Sequence, residues 1–240
     1  MSCSKLRTPI RMVLFDLVGT ILAPAVPVGE TYAAAAARQG VRVDPAIVSE
    51  TFCRTLSRYR YRPRASLPPD GDDRAYWREV VRESLAAALD PPPEIREEIV
   101  EELYAHYGRG EAWRLYPEVR EVLESLQASG LPLGVFSNWD RRARRVLADL
   151  GLIRYFSGIF LGAELGAFKP DPRFYRLVVE RLRCPATAIL LVGDDPENDG
   201  AAPRSCGFPS WVLRRPEMGL ESLPRLLAQG SAGYGPMPGG

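Results

Sequence analysis

The chain has 240 residues, 46% hydrophobic and 25% charged, an ordinary balance for one large domain or for a core with an insert. The formal net charge of +1 excludes the strong basic field that would favour nucleic acid or an anionic membrane as a partner. No apolar run approaches the roughly 18 residues typical of a membrane span. A single histidine, His106, leaves little material for a zinc site or a Ser-His relay. The four scattered cysteines and the N-terminus without an apolar core indicate a cytoplasmic protein with reduced thiols.

Short apolar runs recur along the chain and alternate with helical stretches. The first run, Arg11–Phe15, ends at Asp16 and is typical of a buried parallel strand that leads into a loop. The later runs with the same character are Leu133–Phe136, Ile159–Leu161, Ala188–Val192 and Trp211–Leu213. The helical stretches between them are Pro117–Ser129, Arg141–Leu150 and Pro172–Arg183. This alternation predicts the α/β class, with a doubly wound, mostly parallel sheet.

A long stretch between the first two predicted strands shows helices and no convincing strand. The predicted helices are Gly29–Gly40, Pro45–Arg58, Arg74–Leu89 and Glu94–Tyr107, with breaks at Pro63–Asp73 and Asp90–Pro93. We expect this insert to form a cap over the carboxyl edge of the sheet, where such folds bind ligands. The predicted segments are a first part of the core at 10–23, a helical cap at 24–112, the rest of the core at 113–228 and a disordered tail at 229–240.

Four polar motifs follow predicted strands. They are Asp16-Leu17-Val18-Gly19-Thr20, Ser137-Asn138, Lys169-Pro170-Asp171-Pro172 and Gly193-Asp194-Asp195 with Asp199. Each has an ordinary structural explanation when taken alone, because an aspartate after a strand is often a turn residue or a helix cap. Their order and spacing together favour a functional interpretation.

Phosphoryl transfer uses all four motifs. It needs a nucleophile, donors for the phosphate oxygens, a positive charge and carboxylates for Mg²⁺. Asp16 can act as nucleophile and metal ligand together, and Lys169 is a compact charge that can pair with both the nucleophile and the phosphate. Asp194, with either Asp195 or Asp199, completes an oxygen-only site suited to magnesium. The predicted phosphate-binding side chains are Thr20, Ser137, Asn138 and Lys169.

The four-motif order resembles that of the haloacid dehalogenase superfamily, in the branch with a helical cap between the first two motifs. The resemblance covers residues 10–225, and the stretches Tyr76–Val81 and Ser137–Arg142 resemble those of the haloacid dehalogenase-like hydrolase domain-containing proteins. It implies a Mg²⁺-dependent phosphatase that acts on a small phosphorylated substrate through an aspartyl intermediate on Asp16. Oligomeric state stays open.

The resemblance also assigns roles at the site. Ser137 and Lys169 would orient the intermediate, and Asp194 would bind Mg²⁺ together with Asp16. The main-chain carbonyl of Val18 would be a further metal ligand, and the carboxylate of Asp199 would support the metal site.

Val18 departs from the phosphatase pattern. Phosphatases of this family usually carry a second aspartate at this position, which protonates the leaving group and later activates water. Valine can do neither, and losing such a group typically costs roughly 10²–10⁴-fold in rate. The main-chain carbonyl remains for the metal. The sequence therefore predicts a hydrolase with weakened acid–base catalysis.

Two other functions compete with the phosphatase. A 2-haloacid dehalogenase needs no proton donor for halide departure and also lacks the second aspartate, but the Gly193-Asp194-Asp195 acid pair argues against it. A non-catalytic binding module is the stronger alternative, because Val18 removes a catalytic group. A phosphonate-cleaving enzyme is excluded, because the predicted cap has no lysine to form a Schiff base.

Overall fold

The computed structural model describes residues 9–59, 73–88 and 95–228. The predicted tail at 229–240, the break at 90–93 and all but Asp73 of the break at 63–73 lie outside the described residues. Within the described ranges, no helix combines the length and the hydropathy that crossing a membrane requires.

In the part of the chain that the structure describes, seven short strands form two sheets. They are β1 (Met12–Phe15), β2 (Leu22–Pro24), β3 (Trp113–Leu115), β4 (Leu133–Ser137), β5 (Phe156–Leu161), β6 (Ile189–Gly193) and β7 (Ser210–Val212). The main sheet has the order β5-β4-β1-β6-β7, and all of its pairings are parallel. The predicted doubly wound α/β fold is confirmed.

Ten α-helices accompany the strands in the described residues. They are α1 (Val28–Arg38), α2 (Pro45–Tyr59), α3 (Arg74–Ala86), α4 (Glu97–His106), α5 (Val119–Ala128), α6 (Arg142–Asp149), α7 (Gly162–Leu165), α8 (Pro172–Leu182), α9 (Ala202–Ser205) and α10 (Leu223–Ala228). The sequence determines where helix α8 begins. Asp171 caps the helix by accepting a hydrogen bond from the Arg173 N–H (2.8 Å), and Pro172 occupies the first turn.

The central strand β1 is buried along its whole length, as its apolar sequence predicts. Its last residue, Phe15, pairs with Val135 of β4 on one side and with Val192 of β6 on the other. The chain runs outward from β1 to β4 and β5, then returns to β6 and β7 on the opposite side. The strand order therefore reverses beside β1, and a reversal of this kind opens a crevice at the carboxyl ends of the strands.

The described residues divide into two compact units. The first contains the described residues among 9–23, 115–138 and 152–228 and carries the main sheet, and the second contains those among 24–59, 73–88, 95–114 and 139–151. In the core of the second unit, Tyr32 of α1 packs with Val81 and Leu85 of α3 and with Ile99 and Leu103 of α4. The sequence-based domain boundaries at 24 and 112 stay a prediction.

The segment that follows β4 packs within the second unit. Asp140 is fully buried there and accepts a hydrogen bond from the Tyr104 hydroxyl (3.1 Å). The guanidinium of Arg142 lies 2.9 Å from the Asp140 carboxylate, stacks 3.6 Å from the centroid of the Tyr104 ring and donates to the Tyr104 carbonyl (2.8 Å). These contacts join the start of α6 to the end of α4.

The two-stranded sheet of β2 and β3 was not predicted. Each of these strands has three residues, and they occur where the chain enters and leaves the second unit. Three residues are too few to show the alternation that identifies a strand.

Candidate active site

Asp16 lies at the carboxyl end of β1, inside the first unit. Its N–H donates to the Val192 carbonyl (2.9 Å), so the parallel register with β6 continues past the last residue of β1. Its side chain accepts a hydrogen bond from Lys169, whose Nζ lies 2.8 Å from Oδ1. The same Nζ lies 2.7 Å from Asp199 Oδ1. One lysine, itself only 3% exposed, thus bridges two buried carboxylates.

The turn after Asp16 is tightly wound. The carbonyl of Leu17 accepts three main-chain N–H groups, those of Thr20, Ile21 and Leu22, at 2.8–3.3 Å. The Gly19 N–H donates to the Leu22 carbonyl (2.8 Å). These four hydrogen bonds leave out the carbonyl of Val18, which is the group that the resemblance assigns to the metal.

Gly19 brings this turn against the fourth motif. Its φ is +90°, and a Cβ at this position would lie 2.3 Å from Asp194 Oδ2, so only glycine fits. The hydroxyl of Thr20, which is fully buried, donates to Asp194 Oδ1 (3.2 Å). The first and fourth motifs are therefore in direct contact, although 174 positions separate the two hydrogen-bonded residues.

The loop after β6 uses its two neighbouring aspartates differently. Asp194 faces the turn described above, whereas Asp195 accepts the N–H groups of Glu197 (2.9 Å) and Asn198 (2.8 Å) and so caps the helical turn Pro196–Ala201. The Asp195 N–H in turn donates to Asp199 Oδ2 (3.0 Å). Of the two alternatives left open by the sequence, Asp199 lies in the carboxylate cluster, and Asp195 serves as a cap.

The side chain of Asn138, in the second motif, contacts the main chain of Lys169. The Asn138 side chain accepts the Lys169 N–H (2.6 Å) and donates to the Lys169 carbonyl (2.8 Å). This reciprocal pair fixes the backbone from which the lysine projects. Ser137, the last residue of β4, is buried and pairs with Leu161 of β5. The predicted phosphate-binding Ser137 thus lies at the same sheet edge as Asp16.

The site places three carboxylates, those of Asp16, Asp194 and Asp199, around the single positive charge of Lys169. Burial raises the pKa of Asp16 to about 7, since the opposing attraction of Lys169 is offset by repulsion from Asp199 and Asp194. Burial and the charge of Asp199 also raise the pKa of Asp194. Burial alone would lower the pKa of Lys169, but its two carboxylate partners raise it above the ordinary value.

The donor set fits a divalent cation. One carboxylate oxygen from each of Asp16, Asp194 and Asp199 lies within 4.8 Å of the others, and all three donors are the hard oxygens that Mg²⁺ prefers. Asp199 is the least available of the three, because its two oxygens already accept hydrogen bonds from Lys169 and from the Asp195 N–H. The excess negative charge and the oxygen donors together support a cation at this place.

Lys169 is also expected to support the fold. Replacing it by methionine keeps the side-chain stem near the Phe136 ring, which lies 4.3 Å from Nζ, but leaves Asp16 and Asp199 buried without their counter-charge. The free energy of unfolding of the metal-free protein should fall by about 3–5 kcal/mol, measured by urea denaturation. The double variant Lys169→Met/Asp199→Asn should recover part of this loss, because one unpaired charge is gone. A loss below about 1 kcal/mol in the single variant would contradict the assigned ion pairs.

One residue that contacts the site was missed from the sequence. Arg215 donates through Nη2 to the carbonyl of Thr20 (2.8 Å). Because the chain contains 29 arginines, nothing in the pattern around this one singles it out.

Comparison with known proteins identifies relatives along nearly the whole chain. The family model described as haloacid dehalogenase-like hydrolase matches residues 10–207. Haloacid dehalogenase-like hydrolase domain-containing protein 3 of Danio rerio is 30% identical over 241 residues, which covers 93% of this chain and 98% of that protein. The phosphoserine phosphatase of Thermus thermophilus is 32% identical over 142 residues, covering 58% of this chain and 55% of its own.

A solved structure matches the fold. The putative hydrolase YfnB of Bacillus subtilis, solved with magnesium bound, superposes with a TM-score of 0.71 at 19% identity, covering 92% of this chain and 100% of that one. At this identity the match supports the fold alone.

Proposed function

The chain belongs to the haloacid dehalogenase-like hydrolase family, and from this premise we propose that it is a Mg²⁺-dependent phosphatase that works through an aspartyl-phosphate on Asp16. The observation that carries the proposal is the buried bridge from Lys169 to Asp16 and Asp199, with Asp194 beside it. The proposed substrate is a small phosphorylated metabolite, and the proposed location is the cytoplasm.

In the first step, a carboxylate oxygen of Asp16 attacks the phosphorus, and the bond from phosphorus to the leaving oxygen breaks. Lys169 holds the nucleophile by its hydrogen bond and offers its charge to the phosphoryl oxygens. The hydroxyls of Thr20 and Ser137 and the amide of Asn138 are the proposed neutral phosphate ligands. Water then cleaves the aspartyl-phosphate and releases inorganic phosphate.

The proposed metal ligands are the carboxylates of Asp16 and Asp194 and the main-chain carbonyl of Val18, with Asp199 supporting them. Mg²⁺ held there supplies positive charge against the phosphoryl oxygens. The orienting role of Asp199 follows from its two accepted hydrogen bonds, which hold Lys169 on one side and the Asp195 main chain on the other.

Proton transfer is the weak point of this site. Val18 is 42% exposed and stands where family phosphatases carry their acid–base aspartate. A leaving oxygen of low pKa departs without a proton, whereas an alkoxide does not. The proposed enzyme is therefore slow, favours aryl and acyl phosphates and accumulates its phosphoenzyme.

The same residue supports a second candidate, a binding module without turnover. A metabolite panel that includes 4-nitrophenyl phosphate, assayed with and without Mg²⁺, separates the two functions. Mg²⁺-dependent release of phosphate supports the phosphatase. If a phosphate compound binds but neither phosphate nor the aryl leaving group is released, the result supports the binding module.

Metal binding can be tested apart from turnover. Saturating Mg²⁺ should stabilise the wild type, by about 2.7 kcal/mol at 100 times its Kd. In Asp194→Asn this stabilisation should disappear, because one of the proposed carboxylate ligands is lost. Thermal melts across a Mg²⁺ titration measure the effect.

The neighbouring variant Asp195→Asn is the matched control, since asparagine can still accept the hydrogen bonds that cap the turn after β6. It should keep the Mg²⁺ response. Equal loss in both variants would mean that the loop as a whole, and not Asp194 as a ligand, is responsible.

A further inference from the structure

Arg215 connects three separate parts of the first unit. It lies in the loop after β7, which is anchored beside the end of β6 by the hydrogen bond from Leu213 N–H to the Gly193 carbonyl (2.8 Å). Its guanidinium stacks 3.5 Å from the centroid of the Tyr116 ring, and its Nη2 donates both to Glu118 and to the Thr20 carbonyl. The side chain is 14% exposed, so these contacts are made almost without water.

Glu118 holds the guanidinium in place. Its carboxylate accepts hydrogen bonds from Arg215 and from the Leu220 N–H (3.2 Å). Burial alone would raise the pKa of Glu118, but these hydrogen bonds hold it below the ordinary value, so the group is a carboxylate at neutral pH. Nη2 of Arg215 donates both to the Glu118 carboxylate and to the Thr20 carbonyl, so the contact with Glu118 places the donor that holds Thr20.

Thr20 is held from two directions. Its side-chain hydroxyl donates to Asp194 (3.2 Å), and its main-chain carbonyl accepts from Arg215 (2.8 Å). It also donates its N–H to the carbonyl of Leu17 (3.3 Å), the residue that directly follows Asp16. A shift of the Thr20 carbonyl therefore moves both the contact with Asp194 and the turn that begins at Asp16.

We propose that Arg215 is a positioning residue of the active site, which fixes the turn after Asp16 through the Thr20 carbonyl and thereby sets the spacing of Asp16 and Asp194. The proposal rests on the phosphatase function for its catalytic consequence. Residues that orient ligands from outside typically change metal affinity or activity by about 10–100-fold when they are lost.

The test compares Arg215→Met, Arg215→Lys and a control. Methionine fills the space over Tyr116 but donates no hydrogen bond. Lysine can keep the bond to Thr20, because a single nitrogen of Arg215 makes both of its polar contacts. The control is Arg154→Met, since Arg154 also stacks on a tyrosine (4.9 Å from the Tyr155 ring centroid) but lies before β5, at the opposite edge of the sheet.

Three measurements are made on each full-length variant: hydrogen exchange of peptides spanning residues 17–22 without metal, apparent Mg²⁺ affinity from thermal melts, and kcat and KM for 4-nitrophenyl phosphate. In Arg215→Met we expect faster exchange in this turn, weaker Mg²⁺ affinity and lower kcat, each of the last two by about 10–100-fold, with a smaller change in KM. Arg215→Lys should recover most of the loss, and Arg154→Met should match the wild type.

A merely structural role would lower the Tm of Arg215→Met and leave Mg²⁺ affinity and kcat within about twofold of the wild type, and this result overturns the proposal. If the wild type itself shows neither a Mg²⁺ response nor hydrolysis, the phosphatase function fails, and hydrogen exchange decides alone. Unchanged exchange in residues 17–22 of Arg215→Met then overturns the positioning role.

Discussion

Replacing Asp16 by asparagine is expected to lower hydrolysis of every phosphate substrate by roughly 10⁴-fold or more, the scale of losing a catalytic nucleophile. The amide keeps the size of the carboxylate but does not attack phosphorus, and it also removes one of the proposed metal ligands. Its neutral charge also removes one partner of Lys169, whose second partner, Asp199, remains. The variant should therefore fold.

The measurement is a pair of assays. Steady-state release of phosphate from 4-nitrophenyl phosphate gives the rate, and acid-quenched protein examined by intact mass shows whether a phosphoryl group is attached. Wild type should carry it during turnover, and Asp16→Asn should not. The variant Asp44→Asn is the control, because the Asp44 side chain accepts the Ala46 N–H (2.8 Å) at the start of α2 and asparagine can accept the same hydrogen bond, so this variant should behave as wild type. Substantial activity in Asp16→Asn would mean that another residue is the nucleophile.

The core strands and their polar ends could be predicted because each depends on local sequence. The run before Asp16 is apolar without alternation, as a strand buried on both faces requires, and it became the central strand β1. Parallel strands place their carboxyl ends at one edge of the sheet, so the sequence alone predicts that Asp16 and Asp194 lie close together. The contact of Thr20 with Asp194 is a direct consequence of that rule.

Other features depend on long-range contacts that leave no local pattern. The segment after Asn138 packs in the second unit because the buried carboxylate of Asp140 contacts Tyr104 and Arg142. No pattern in the sequence around these residues predicts that they interact. Asp194 and Asp195 are adjacent residues of the same type, so the sequence alone cannot tell which of them caps the turn after β6. The direction of the backbone gives this role to Asp195. Arg215 illustrates the same limit, because its importance arises from a main-chain carbonyl nearly two hundred residues away.

Val18 is the residue that conflicts most with the proposed phosphatase, because its side chain cannot transfer the protons that the reaction requires. Positive charge for the first step comes from Lys169 and, in the proposed function, from Mg²⁺ held by Asp16 and Asp194, and neither depends on the side chain at position 18. Protonation of the leaving group and activation of water do depend on it in family phosphatases. Because Val18 is well exposed, a carboxylate at this position meets little desolvation cost.

The variant Val18→Asp is therefore expected to raise kcat for alkyl phosphates by roughly 10²-fold or more, the usual contribution of a general acid or base. Aryl phosphates should gain less, because their leaving oxygen needs no proton, and the gain there should come from faster hydrolysis of the aspartyl-phosphate. The trapped phosphoenzyme should accordingly decrease. Rates for an alkyl and an aryl phosphate, with phosphoenzyme measured by intact mass, test all three effects.

The matched control is Val18→Asn, which has the size and polarity of aspartate but transfers no proton. It should stay close to the wild type on both substrates. An equal gain in Val18→Asn and Val18→Asp would assign the effect to polarity near the substrate and not to acid–base chemistry. Fast hydrolysis of an alkyl phosphate by the wild type, unimproved by Val18→Asp, would show that another group already supplies the proton, and the weakened acid–base step inferred from Val18 would then be wrong.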